Sequence, residues 1–207
     1  MLVSPQENLE TPHADYRQQK IAAAYVLYQH RLELADAMDF DDLLFNTVRL
    51  LSENEDVLDY YQRRFKYIMV DEYQDTNKAQ YEFIRLIADR YKNICVVGDD
   101  DQSIYGFRGA TVENILSFEN QYKNATVIRL EQNYRSTQNI LNAANAVILH
   151  NSRRKEKKLW TSVGDGEKVR IVSANDESDE ARFVADTILD AVRSGRSFSD
   201  HAVLYRM

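Results

Sequence analysis

Two acidic stretches follow directly on short apolar runs. Asp71-Glu72 comes after Tyr67-Ile68-Met69-Val70, and Gly98-Asp99-Asp100-Asp101-Gln102 comes after Ile94-Cys95-Val96-Val97. A carboxylate pair where an apolar strand opens to solvent can hold Mg²⁺ with one group and orient a water with the next. The same pair also suits the positive end of a helix dipole, so alone it specifies no reaction. The second stretch continues through Ser103-Ile104-Tyr105-Gly106-Phe107-Arg108-Gly109-Ala110. An amide, two aromatics and an arginine this close together have the chemistry to read a phosphate and stack on bases. On spacing alone, Tyr105 and Phe107 serve equally as core residues.

Three classes of function are compatible with these residues. One is a nucleotide hydrolase coupled to single-stranded nucleic acid. A second is a metal-dependent nuclease using Asp71, Glu72, Asp75, Asp99, Asp100 and Asp101 as a two-metal cluster. It lacks a basic catalytic partner and leaves the aromatic-arginine loop unexplained. A third is a non-catalytic unit that binds DNA or a partner protein. His13, His30, His150 and His201 are scattered without carboxylate or cysteine company, so no zinc site is expected.

The elements that must position these residues are legible from periodicity. The first third is helical: residues 14–35 place Ile21, Ala24, Tyr25, Tyr28 and Leu32 on one stripe. Asp39 can cap a second helix carrying Leu43, Leu44, Val48 and Leu51, with Asp42 near its N-terminal dipole, and a third helix spans 55–64. Buried strands are expected at 67–70 and 94–97, joined by a helix that Thr76 caps and that runs through Ala88 with Phe83, Ile84 and Ile87 inward. Strand, helix, strand implies a right-handed parallel unit with both strand ends on one edge, so the two acidic loops become neighbours. Beyond a helix at 112–122, strands are expected at 126–130, 168–172 and 202–205. A helix that Ser136 caps should run to about 150, and another should span 177–192.

Composition narrows the setting. The 207 residues are 44% hydrophobic and 29% charged, with 2 Pro and 6 Gly, which fits a globular chain with a real core. No stretch approaches the roughly 18 consecutive apolar residues of a membrane span, and residues 1–20 lack a signal-like apolar segment. A single cysteine, Cys95, cannot form an intrachain disulfide; it reads as a buried inert thiol in a reducing cytoplasm. The net charge of -7 argues against a basic coating of nucleic acid. The basic island at 151–158, Asn-Ser-Arg-Arg-Lys-Glu-Lys-Lys, reads on charge alone as a solvated loop.

Asp71-Glu72-Tyr73-Gln74-Asp75-Thr76-Asn77, the loop 98–110, and Leu130-Glu131-Gln132-Asn133-Tyr134-Arg135-Ser136 resemble, in order and spacing, motifs II, III and IV of superfamily 1 DNA helicases. The likeness is to the UvrD, Rep and PcrA group, nearest the PcrA branch. Asp39-Phe40-Asp41-Asp42-Leu43-Leu44 and Ala202-Val203-Leu204-Tyr205-Arg206 also look like stretches of that group, so nearly the whole chain is covered. The implied fold is α/β: parts of two RecA-like motor domains with parallel sheets, preceded by a helical segment. On this resemblance, residues 1–62 correspond to the end of subdomain 1B, 63–124 to the second half of motor domain 1A, and 125–207 to the first part of motor domain 2A.

The resemblance implies an ATP-dependent, 3′ to 5′ translocating DNA helicase of the cytoplasm. Its ligands would be ATP, Mg²⁺, and single-stranded and duplex DNA, and its protein partners would come from repair or replication. Asp71 would bind Mg²⁺ and Glu72 would activate the attacking water. Gln102 would sense the γ-phosphate. Tyr134 would stack on adenine, and Arg135 would reach the γ-phosphate from the opposite domain. Tyr105 and Phe107 would stack on bases and Arg206 would contact DNA, while Arg108 and Gln74 would couple the DNA loop to the nucleotide site.

Phe107 stands where the family commonly has Trp, which reduces stacking area without removing it. No glycine of this sequence lies in a G-x-x-x-x-G-K-[ST] pattern. The expectation is therefore an internal piece of a longer helicase, inactive in ATP turnover when isolated.

Overall fold

The computed structural model describes residues 15–151 and 154–205. They gather into two compact units, one formed by residues up to 130 together with 148–158, the other by 131–147 together with 159 onward.

In the first unit, the three longest helices start at reciprocal caps. Helix α1 (Tyr16–Leu34) begins where Asp15 accepts from the Gln18 N–H at 2.7 Å and Gln18 accepts from the Asp15 N–H at 2.8 Å. Its inward face is displaced by one residue from the expected stripe: Ala22 is buried and Tyr25, Val26, Gln29 and Leu32 are half-buried, whereas Ile21 and Tyr28 are exposed. Polar contacts decide this rotation. Gln29 Nε2 donates to both Asp42 oxygens at 2.9 and 3.1 Å, and the Tyr28 hydroxyl donates to Asp39 at 3.0 Å. Asp39 and Asp42 form the capping box of α2 (Phe40–Glu53), and α3 (Glu55–Arg64) follows.

Val48 and Leu51 of α2 form a core with Leu86 and Ile87 of α4 (Lys78–Ala88), and Val57, Leu58, Ile68 and Phe83 pack around it. Each such side chain contributes about 1.5–3 kcal/mol when fully buried. Asn77, not Thr76, caps α4, because Asn77 and Gln80 exchange side-chain to backbone bonds at 2.9 Å. Thr76 is instead buried, its hydroxyl donating to the Tyr73 carbonyl at 2.7 Å.

Strands β1 (Ile68–Val70) and β2 (Ile94–Val96) pair in parallel, Ile68 opposite Ile94 and Val70 opposite Val96, with α4 as the crossover. Cys95 is exposed, contrary to expectation. Successive strand residues face opposite sides of the sheet. Ile68, Val70, Ile94 and Val96 are the partly covered set, whereas Met69 and Cys95 are exposed.

The expected helix at 112–122 is two short ones, α5 (Glu113–Leu116) and α6 (Phe118–Gln121). The break falls at Ser117, whose hydroxyl bonds back to the Glu113 carbonyl at 2.6 Å and competes with the helical ladder.

In the second unit, α7 (Gln138–Ile148) starts two residues beyond Ser136, whose N–H is taken by Asn133 Oδ1 at 2.7 Å. The Gly164 and Asp165 carbonyls cover its first turn, accepting from the Gln138 and Asn139 N–H groups at 2.9 and 3.0 Å. Helix α8 (Glu177–Arg193) matches the clearest periodicity in the sequence. The strands expected at 126–130, 168–172 and 202–205 form no ladder among the described residues. A strand exists only as a pair, and Ile128, Leu130, Ile171 and Leu204 are strongly exposed rather than packed. Gln132 and Trp160 make one isolated parallel bridge. Among the described residues, no helix is long and apolar enough to cross a membrane.

Candidate functional site

The parallel pairing brings the two acidic loops together. The chain leaves β1 into Asp71, whose carboxylate accepts from the Glu72 N–H at 2.9 Å. Glu72 adopts the left-handed conformation, φ 49° and ψ 41°. For a residue with a Cβ this costs on the order of 1 kcal/mol, and such strain clusters at functional positions. The turn aims the Glu72 carboxylate at Gln74, whose Nε2 donates to it at 2.8 Å.

Gln74 is almost fully buried. Its Oε1 accepts from the Asp99 N–H at 2.9 Å, and its backbone carbonyl accepts from the Ser103 hydroxyl at 3.2 Å. One side chain thus joins the carboxylate at the end of β1 to the loop after β2. Gly98 makes room for it: a Cβ there would lie 2.5 Å from Gln74 Oε1 and 3.2 Å from the Tyr73 backbone nitrogen. Asn114 closes the underside, donating to the Thr76 carbonyl at 3.0 Å.

Gln102 is exposed, and its Nε2 donates to Asp99 Oδ2 at 2.8 Å. Further along, the rings of Tyr105 and Phe107 lie 5.9 Å apart, with the Arg108 guanidinium 5.2 and 5.4 Å from their centres. Phe107 is 79% exposed, so the core reading fails for it. Gly109, at φ +84°, ends this turn in a conformation suited to glycine, and the Asn77–Ala110 bridge returns the loop to the start of α4.

The expected solvated loop at 151–158 is a correction. Two of its described cations, Arg154 and Lys157, close on the three consecutive aspartates. Lys157 Nζ bonds Asp99, lies 2.7 Å from Asp100 Oδ1 and 3.2 Å from Asp101 Oδ2, and is only 19% exposed. Arg154 pairs with Asp101 at 3.1 Å, the Lys155 N–H donates to Asp100 at 2.7 Å, and the Lys155 ammonium pairs with Glu119. Burial raises the pKa of Asp99, but the Lys157 ammonium and Gln102 amide outweigh it and hold the carboxyl below its ordinary value. Burial likewise works against the Lys157 ammonium, and Asp100 and Asp99 reverse the effect. Opposed runs of three aspartates and several cations were the available signal, and charge taken run by run does not reveal a pairing.

Asp99, Asp100 and Asp101 are, among the described residues, the one acidic group whose oxygens converge as a metal site would require. Lys157 and Arg154 already occupy these carboxylates, two positive charges against three negative, which counts against the nuclease cluster. Asp71 and Glu72 remain exposed, and their hard carboxylate oxygens fit Mg²⁺.

In the second unit, Asn133 Oδ1 accepts from the N–H groups of Arg135 and Ser136 at 2.9 and 2.7 Å, an Asx turn that leaves Tyr134 and Arg135 exposed. The Tyr134 hydroxyl donates to Gln132 at 3.0 Å. Arg206 lies outside the described residues.

Comparison with known proteins agrees with the architecture. Residues 2–123 match the UvrD/REP helicase N-terminal domain and residues 128–207 the UvrD-like helicase C-terminal domain. The chain is 52% identical over 200 residues to the ATP-dependent DNA helicase PcrA of Staphylococcus epidermidis, covering 97% of this chain and 27% of that protein. It is 55% identical over 192 residues to the PcrA helicase of Staphylococcus aureus, covering 93% and 26%. It therefore spans about a quarter of the length of these relatives. With both domain families matched across nearly all of its residues, the chain belongs to the UvrD/REP helicase family.

Proposed function

We propose that these residues form part of an ATP-dependent DNA helicase that moves along single-stranded DNA and unwinds duplex in the cytoplasm. Within it, residues 1–62 end subdomain 1B, 63–124 complete motor domain 1A, and 125–207 begin motor domain 2A. Asp71 holds Mg²⁺, which supplies charge neutralisation on the phosphates. Glu72 accepts a proton from the attacking water, and Gln102 and Arg135 meet the γ-phosphate. Tyr134 stacks on adenine. Tyr105 and Phe107 stack on bases, a contact open to any sequence because every base has a face. Arg108 ties that pair to the loop, and Arg206 contacts DNA. Repair or replication proteins are the fitting class of partner.

The observation that carries this reading is the buried Gln74 bridge. It fixes the Glu72 carboxylate and the Asp99 backbone to one amide, so the base and the loop bearing Gln102, Tyr105 and Phe107 share one support. A helicase needs that arrangement to link hydrolysis with grip on DNA. Glu72→Gln in the full-length helicase tests it: the variant should bind ATP normally while hydrolysis falls by at least about 10²-fold. Near-normal turnover would remove Glu72 from this role.

A further inference from the structure

We propose that Lys157 is a positioning residue for Gln102, acting through Asp99. The inference rests on the reading that Gln102 meets the γ-phosphate. Asp99 is held on both edges: Oδ1 takes the Lys157 ammonium and the Asp101 N–H at 3.0 Å, and Oδ2 takes the Gln102 amide at 2.8 Å. A primary amide has two N–H donors. With one anchored on Asp99, the other N–H and the carbonyl oxygen of Gln102 point in directions that the Asp99 carboxylate sets.

That carboxylate stands beside two more. The oxygens of Asp99, Asp100 and Asp101 lie within 4.8 Å of one another, where like charges repel. Lys157 contacts all three, and Arg154 pairs with both oxygens of Asp101. At 6% and 9% side-chain exposure, Asp101 and Asp100 depend on these cations rather than on water. Removing the Lys157 charge therefore frees Asp99 to turn away from its neighbours, and Gln102 turns with it. The segment carrying Lys157 is remote in sequence from both residues, yet it decides the direction of the amide.

The test uses the full-length helicase with Lys157→Met, Lys157→Arg, Gln102→Ala and the Lys157→Met/Gln102→Ala double variant. Lys157→Met should lower kcat of DNA-stimulated ATP hydrolysis about tenfold, and it should narrow the preference for a non-hydrolysable ATP analogue over ADP while leaving ADP affinity unchanged. Lys157→Arg should recover most of both, since it restores the charge. In the Gln102→Ala background, Lys157→Met should add less than twofold, because the two act as one unit. Without nucleotide, amide hydrogen exchange across 99–108 should quicken in Lys157→Met. If that variant does not fold, Asp99→Asn should give the same signature from the other side of the contact.

Unchanged kcat and triphosphate preference in Lys157→Met would overturn the proposal, as would an undiminished effect in the Gln102→Ala background or unchanged exchange across 99–108. The two readings separate cleanly. A defect in Gln102→Ala with none in Lys157→Met overturns the positioning role alone, and wild-type behaviour of Gln102→Ala overturns the γ-phosphate reading and the proposal with it.

Discussion

The side-chain oxygen of Gln74 accepts the backbone N–H of Asp99 at 2.9 Å. The same amide holds the Glu72 carboxylate, and its surroundings are almost closed to water. A buried amide satisfied on both ends is a rigid spacer, because losing either contact would strand a polar group at a cost of about 1–3 kcal/mol. The end of β1 and the loop after β2 are thereby held at one fixed separation.

That spacer predicts a penalty at Gly98. Alanine there would set a methyl group 2.5 Å from Gln74 Oε1, 2.9 Å from Ile115 Cδ1 and 3.2 Å from the Tyr73 backbone nitrogen. The glutamine cannot retreat without releasing Asp99, and the backbone cannot retreat at all. Gly98→Ala should therefore lower folding stability by about 1–3 kcal/mol. Denaturant titration checks it, with the midpoint falling at unchanged slope. An unaltered midpoint would show that the loop is more pliable than the contacts imply.

Phe107 should behave in the opposite way. At 79% exposure it contributes little to the fold, so Phe107→Ala should change stability by no more than about 0.5 kcal/mol. Affinity of the full-length helicase for single-stranded DNA should fall by roughly 1–3 kcal/mol, evenly across base compositions. Unfolding and DNA titration on the same variant give both numbers. Loss of stability with unchanged DNA affinity would end the stacking role.

The fold was legible in sequence wherever one residue type settles a local choice. Asp39 caps α2, the helix at 55–64 appears with those bounds, and both apolar runs become strands that end at their acidic loops. Partnership was not legible. Thr126 to Leu130 has the pattern of a strand, but a pattern states only the capacity to pair, and the ladder needs a second segment. The exposure of Cys95 is not legible either, because an apolar run of four does not reveal that only one face of a sheet is covered. The pairing of Lys157 is hidden for a related reason: its neighbours in sequence are mostly charged, whereas its neighbours in space are three aspartates. In the site, the residues with distinctive chemistry stood out, and the buried support around them did not, apart from Gln74.

Tyr73 gives the first unit a signature at high pH. Burial, with smaller effects from Tyr81 and Tyr122, pushes its phenol from the ordinary 10.0 up to about 12. Below pH 10 the group is neutral in folded and unfolded chains alike and adds no pH dependence. As pH rises from 10 toward 12, the unfolded chain loses a proton that the folded chain retains, so stability falls across that window. The loss should approach about 2–3 kcal/mol near pH 12. Tyr73→Phe keeps the edge-on contact with Phe118 available and should flatten this part of the stability profile relative to wild type. Identical alkaline slopes in the two proteins would mean that Tyr73 ionises without consequence for folding.

Arg135 tests the chemistry most directly. The Asx turn at Asn133 fixes its backbone, and its side chain is exposed in the second unit, the expected condition of an arginine whose partner is a ligand. An arginine facing the γ-phosphate acts mainly in the transition state, where negative charge spreads over the transferring oxygens. Arg135→Ala in the full-length helicase should therefore reduce the hydrolysis rate by about 10³-fold or more, while ADP, which lacks the γ group, binds almost as before. Arg135→Lys should recover little, because a point charge does not reproduce the planar fork of donors. A structural role at the approach to α7 would instead lower the melting temperature and leave hydrolysis per folded molecule intact. Single-turnover hydrolysis and ADP affinity on the same folded variant decide between them, and equal losses in both would remove Arg135 from the γ-phosphate.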